Sequence, residues 1–232
     1  MTGGILHVAA AGLFLLLSHF GMSSTPLRAA LVARLGEGPY RGLYSLVAAL
    51  ALWWLIAAYA DAPHRPLWAP APWQAWVPLA VLPAALLLVV AGLSTPNPTA
   101  AGQEALLTRG EPPVRGVLRV TRNPFLWGVG LWALAHLVPN GDLASLILFG
   151  SLAVLALAGA ALIDAKLARR LGPAWDRYAR QTSNLPFAAI LAGRQTFAGR
   201  EIGWWRVAVA LLLYAGLLHL HRPLFGVSPL PV

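Results

Sequence analysis

The sequence predicts an all-α, polytopic membrane helix bundle with about six transmembrane helices. Three observations point there. Of 232 residues, 58% are hydrophobic and only 11% are charged, where a soluble domain carries about 25% charged residues. Apolar runs recur at about 4–22, 41–60, 73–93, 124–139, 143–163 and 203–220, most of them near the ~20 residues a helix needs to cross the hydrocarbon. Trp53, Trp54, Trp68, Trp73, Trp76, Trp204 and Trp205 lie at or near the ends of those runs, where an amphipathic ring prefers the headgroup level.

The runs can be taken in order. The first lacks the charged n-region and small-residue cleavage site of a signal peptide, so it is expected to remain as a helix. The second and third have full spanning length. The fourth is short and is expected to form one arm of a tight hairpin with the fifth, joined at Asn140-Gly141-Asp142. The sixth closes the bundle. Without water in the hydrocarbon to bond backbone groups, every run must be helical. Repeats and low-complexity tracts are absent, so residues 1–232 are read as a single domain.

Charge sets the orientation. The loops after the first, third and fifth runs hold 14 of the 17 Lys and Arg residues, and Arg206 lies just inside the sixth run on the same side. The alternate loops and the tail hold only Arg65 and Arg222. By the positive-inside rule the basic loops are cytoplasmic and both termini periplasmic, in a bacterial inner membrane. The net charge of +9 is therefore an orientation signal. It is not a nucleic-acid footprint, because no binding motif accompanies it. The basic stretch from Asp164 through Trp175 to Tyr178 reads as a surface helix lying on anionic lipid.

The chemistry is expected around residues 119–142, a basic, proline-marked lead-in followed by an apolar helix that carries His136. A histidine in lipid-like surroundings needs a partner and is a functional candidate by default. Of six histidines, His64, His219 and His221 lie near loops or run ends, and His7 is early in the first run. His19 and His136 stand in otherwise apolar helices. Neither has a second His, Cys or Glu three or four residues away, so no zinc motif is present. Two single histidines on separate helices suit haem, whose axial ligands need only converge on the iron. His136 equally suits a hydrogen bond to a neighbouring helix, and His19 an interface position reaching the headgroups. The chain has no cysteine, which excludes thiolate ligands and cysteine nucleophiles. The acidic residues fall in loops or at run edges, so no carboxylate relay is expected.

Three segments together carry a resemblance. Ser18-His19-Phe20-Gly21-Met22 with Arg28, Arg34-Leu35-Gly36-Glu37 and Tyr40-Arg41-Gly42-Leu43-Tyr44-Ser45 forms the first. Thr121-Arg122-Asn123-Pro124 through Trp132 to His136 and Asn140-Gly141-Asp142 forms the second. Leu171-Gly172 to Tyr178 and Pro186 forms the third. The first two resemble the NnrU family, over most of the first 190 residues. That family is associated with denitrification and is similar to plant 15-cis-zeta-carotene isomerase, a haem b membrane enzyme. The Arg122-Asn123-Pro124 entry and the third segment look, more distantly, like the isoprenylcysteine carboxyl methyltransferases.

The resemblance implies haem b held by His19 and His136 as axial ligands, with Arg122 placed to meet an anionic group such as a propionate. It implies either isomerisation of an apolar polyene or a role in nitrite and nitric oxide metabolism. A non-enzymatic denitrification component and a methyltransferase using Arg122 and Arg177 are the alternatives. Ala133 stands where the isomerase has a proposed cysteine ligand. Depth makes its own demand. At ~1.5 Å per residue, His136 is about 18 Å into its helix, while His19 is near the cytoplasmic end of its own. By depth, His7 or His219 matches His136 better than His19 does.

Overall fold

The computed structural model describes residues 4–110 and 113–231. Glu111 and the outermost residues of the expected single domain lie outside that range. Five helices are long and apolar enough to cross a membrane: α1 (Ile5–Ser24), α3 (Glu37–Ala60), α4 (Pro72–Ser94), α7 (Leu143–Leu171) and α11 (Trp204–Phe225). The shorter α6 (Pro124–Leu137) is the expected hairpin arm. With no strand among the described residues, the protein is an all-helical polytopic membrane bundle. Short helices α2 (Pro26–Leu35), α5 (Val117–Val120), α8 (Pro173–Gln181), α9 (Ala188–Leu191) and α10 (Gly199–Ile202) occupy the basic loops.

Local chemistry sets the boundaries. Thr25 is extended and accepts a hydrogen bond from the Leu27 amide, which ends α1 and caps α2. Helix α7 continues eight residues beyond the apolar run. Nothing between Asp164 and Leu171 breaks a helix, and Gly172, at φ +47°, then ends it. Two residues that read as loop, Asp164 and Lys166, thus stand on the wall of a long helix.

Neighbour contacts place the long helices in the order α11, α4, α6, α7, α1, α3, and α3 also touches α7. The central core joins Val8, Ala11 and Leu15 of α1, Ala51, Leu55 and Ala58 of α3, Ala133 of α6, and Leu148, Phe149 and Ala153 of α7. Its many alanines let the backbones approach, which is how helices gain packing energy in lipid. The α4–α6 contact is closer still. A Cβ on Gly92 would sit 2.6 Å from the Phe125 amide nitrogen, and one on Gly128 would sit 2.6 Å from the Ala85 carbonyl oxygen.

Helix α4 contains Pro83, which has no N–H to give the Leu79 carbonyl. The Tyr214 hydroxyl of α11 donates to that carbonyl instead, at 2.9 Å. At the other end of α11, Arg206 donates to the Ser94 carbonyl and hydroxyl that end α4, at 3.0 and 2.7 Å. Helix α11 otherwise faces outward, with Trp204 81% and Leu212 72% exposed. It is held to the bundle by bonds that repair the backbone of α4.

At the end opposite the basic loops, the α3–α4 connection crosses the Asn140-Gly141-Asp142 turn. The Gly141 carbonyl accepts from the Leu67 amide at 2.7 Å, and the Trp68 indole donates to Val138 O at 3.1 Å. Asp142 caps α7 by accepting from the Ser145 amide at 3.0 Å. The basic stretch after α7 departs from the lipid-surface expectation. The apolar face of α8 is covered by protein, with Trp175 and Tyr178 buried against Leu107 and Leu167.

Helix α10 is fixed by charge. The Glu201 carboxylate accepts from the Gly116 amide and from Arg119 Nε, both at 2.8 Å. Arg119, and secondarily the Gly116 N–H, holds the Glu201 carboxyl below its ordinary range. A depressed carboxyl stabilises above its unfolded pKa and loses that contribution as pH falls through the folded value. Acidification below the ordinary carboxylate range should therefore release the 195–203 segment first, since the pair is partly exposed and the effect is local. Limited proteolysis at stepped pH checks this: cleavage there should begin at higher pH than cleavage of the bundle.

Candidate functional site

A large cavity lies between α1, α3, α6 and α7 and has a volume of about 640 Å³, inside the ~300–1,000 Å³ range of ligand and cofactor pockets. Its inner wall is apolar: Leu126 and Val129 from α6, and Leu155, Ala156, Gly159 and Leu162 from α7. A Cβ on Gly159 would meet nothing within 4 Å, so this glycine leaves open space in the wall. Leu52 and Phe125 line the cavity yet are 38% and 39% exposed on the bundle surface. The cavity therefore has an apolar opening where Leu52 of α3 and Phe125 of α6 are exposed.

His19 lines this cavity, edge-on to Tyr44 at 5.5 Å between ring centroids. Its Nδ1 is 3.1 Å from the Leu15 carbonyl oxygen. A carbonyl can only accept, so Nδ1 carries the hydrogen and a neutral ring keeps its lone pair on Nε2. Metal-binding histidines are commonly oriented this way.

His136 lies elsewhere. Its Nδ1 donates to Trp132 O at 2.8 Å and its ring stacks on Phe149 of α7 at 5.3 Å. It opens onto a smaller cavity of about 240 Å³ between α4, α6 and α11, together with Tyr214 and His221. Helix α7 contacts both α1 and α6, and the two expected ligands do not share a cavity. His7 has the depth of the core around Ala133, but its Nε2 already accepts from the Trp54 indole at 2.7 Å. His219 is exposed on α11.

Arg122 does not line the large cavity either. Its Nη2 and Nε donate to Asp164 at 2.6 and 2.9 Å, and its guanidinium lies over the Trp175 ring at 5.2 Å. Asn123 donates to Asp164 and to Asn184, each at 3.1 Å, and the Trp127 indole donates to the same Asn184 oxygen. The Arg122 carbonyl accepts from Thr99 at 2.6 Å. The Arg-Asn-Pro lead-in is thus a polar knot tying α6, α7 and the 182–187 segment together. Beside it, burial raises the pKa of Tyr178, whose hydroxyl has no partner among the described residues. Arg177 is exposed on α8.

The basic rim of the cavity was not foreseen from sequence. Arg28, Arg41 and Lys166 line it with Glu37 and Glu104. The available signal was Lys166, two residues beyond an aspartate at the end of an apolar run. No group of three or more His, Cys, Asp or Glu residues suited to a metal occurs among the described residues. The cavity combines one histidine with an apolar inner wall and a charged rim.

The chloroplastic 15-cis-zeta-carotene isomerase of Zea mays is 38% identical over 80 residues, and that of Arabidopsis thaliana 39% over 82. Each alignment covers 34% of this chain and 22% of the relative, so the chain matches about a fifth of the curated relatives' length. No solved structure matches. A family model described as NnrU protein matches residues 7–229, nearly the whole chain, and the protein accordingly belongs to the NnrU family.

Proposed function

We propose that this protein binds haem b in the large cavity, with His19 as the iron ligand, and isomerises an apolar polyene there. The observation that carries the reading is His19 itself: one imidazole with Nδ1 tied to the Leu15 carbonyl, on the wall of a cavity of about 640 Å³. The partial likeness to two zeta-carotene isomerases supports the substrate class. By the positive-inside rule we place the basic end in the cytoplasm of a bacterium and the termini in the periplasm.

Bound haem would supply redox or Lewis-acid chemistry at iron. The chain's own residues do the rest. Leu15 O fixes the tautomer and rotation of His19. Leu126, Val129, Leu155 and Leu162 exclude water. Leu52 and Phe125 flank the route by which an apolar substrate enters from lipid without crossing water. His136 serves a separate place, stacked on Phe149.

Visible spectra of detergent-purified protein, oxidised and dithionite-reduced, test the reading. Wild type should show haem. His19→Ala should lose it, and so should Gly159→Phe, which fills the open wall. His136→Ala should keep it. Loss in both histidine variants would restore the axial pair. A wild type that stays colourless after haem reconstitution would overturn the proposal, as would a spectrum indifferent to His19. Cells that accumulate 15-cis-zeta-carotene then report the activity.

A further inference from the structure

The rim of the large cavity carries more positive charge than its own carboxylates answer. Glu37 Oε1 accepts from Arg28 Nη2 at 2.8 Å and from Arg41 Nε at 3.2 Å. Glu104 lies 3.5 Å from Arg170 Nη1. Both rim carboxylates are thereby engaged by arginines. Lys166, half-buried on the cavity wall, has no ion pair and no side-chain hydrogen bond among the described residues. An ammonium withdrawn from water without a partner costs free energy, and an anion arriving in the cavity would offset that cost.

The two arginines are already positioned. Arg28 lies over the Tyr40 ring at 5.3 Å. Arg41 rests against Gly102, where a Cβ would sit 3.0 Å from Nη1 at a backbone φ of +81°. One turn deeper than Lys166 the wall becomes apolar, at Leu162 and Gly159. An uncharged polyene offers such a rim nothing.

We infer that Lys166, flanked by Arg28 and Arg41, binds the carboxylates of an amphipathic ligand whose apolar body lies against the α7 wall. Resting on the haem reading above, those carboxylates are the haem propionates. Lys166 acts as a point charge here, while the arginines offer forked donors. The charged rim then fixes which way the macrocycle enters and leaves the apolar opening at Leu52 and Phe125 for substrate.

Titration of apoprotein with haem b and with haem b dimethyl ester, which lacks the free carboxylates, tests this. Wild type should bind haem more tightly than the ester. Lys166→Met should weaken haem binding about tenfold or more, the scale of one charge-assisted hydrogen bond, and leave ester binding unchanged. Lys166→Arg should restore haem affinity. Wild type binding both porphyrins equally would overturn the inference while the haem reading stands. So would Lys166→Met weakening both porphyrins alike, or neither. A wild type that binds neither porphyrin overturns the haem reading and this inference together.

Discussion

Gly128→Leu should lose the α4–α6 interface and melt far below wild type. A Cβ at this position would stand 2.6 Å from the Ala85 carbonyl oxygen, 2.7 Å from Val89 Cγ2 and 3.0 Å from the Val89 amide nitrogen. Two of those atoms are helix backbone, so relief requires the helices to separate. Overpacking against movable side chains costs about 1–3 kcal/mol. Here the expected cost is at the top of that range or above it. Separation would also break the Gly92–Phe125 contact two turns along α4. Gly150 is the control, because a Cβ there meets nothing within 4 Å. Thermal denaturation in detergent, followed by size exclusion, should show Gly150→Leu near wild type and Gly128→Leu well below it. Equal melting of the two variants would show that α4 and α6 are not this close.

Asp164→Ala should be comparably damaging for a different reason. Arg122 and Asp164 are each only 14% exposed. Removing the carboxylate leaves a guanidinium with only the Thr182 carbonyl and the Trp175 face, and removes a partner of Asn123. Breaking a buried ion pair from one side costs about 3–5 kcal/mol, whereas replacing both partners by apolar groups is often nearly neutral. Asp164→Leu combined with Arg122→Met should therefore recover much of what Asp164→Ala loses. Denaturant melts of the three variants check the order. A double variant as unstable as Asp164→Ala would mean that the other hydrogen bonds of the knot, rather than the unpaired charge, dominate.

The helices were legible because lipid leaves an apolar run little choice of conformation. The six runs became five long helices and the short α6, and the Asn140-Gly141-Asp142 turn formed where glycine and a capping aspartate marked it. Side-chain partners across helices were not legible. Arg122 was expected to meet a ligand anion, and a protein carboxylate 42 residues away takes that place. Asp164 and Lys166 looked like loop residues because the apolar run stops before them. The helix does not stop there, since only Gly172 and Pro173 break it. Lys166 in particular was counted as an orientation signal, and loop counting cannot distinguish a solvated lysine from one on a cavity wall. His19 and His136 open onto different cavities, a relation that spacing along one chain does not encode.

The polar knot also has a temporal side. Helix α6 has 14 residues, about 21 Å of helix, while the hydrocarbon is about 30 Å thick. Besides Asn97 and Thr99, the groups that hold its start are Asp164 on α7 and Thr182, Ser183 and Asn184 beyond it. During synthesis those partners leave the ribosome some 40 to 60 residues after Arg122. A nascent chain that has inserted α1, α3 and α4 can pack α6 against α4 and bond its start to Asn97 and Thr99, but it leaves the Arg122 guanidinium without its carboxylate. The hairpin with α7 locks once Asn184 has emerged, and α11 follows as a separate event. Chains stalled between Pro124 and Asp164 would display an unpaired arginine beside the short α6, a charge that the finished bundle conceals.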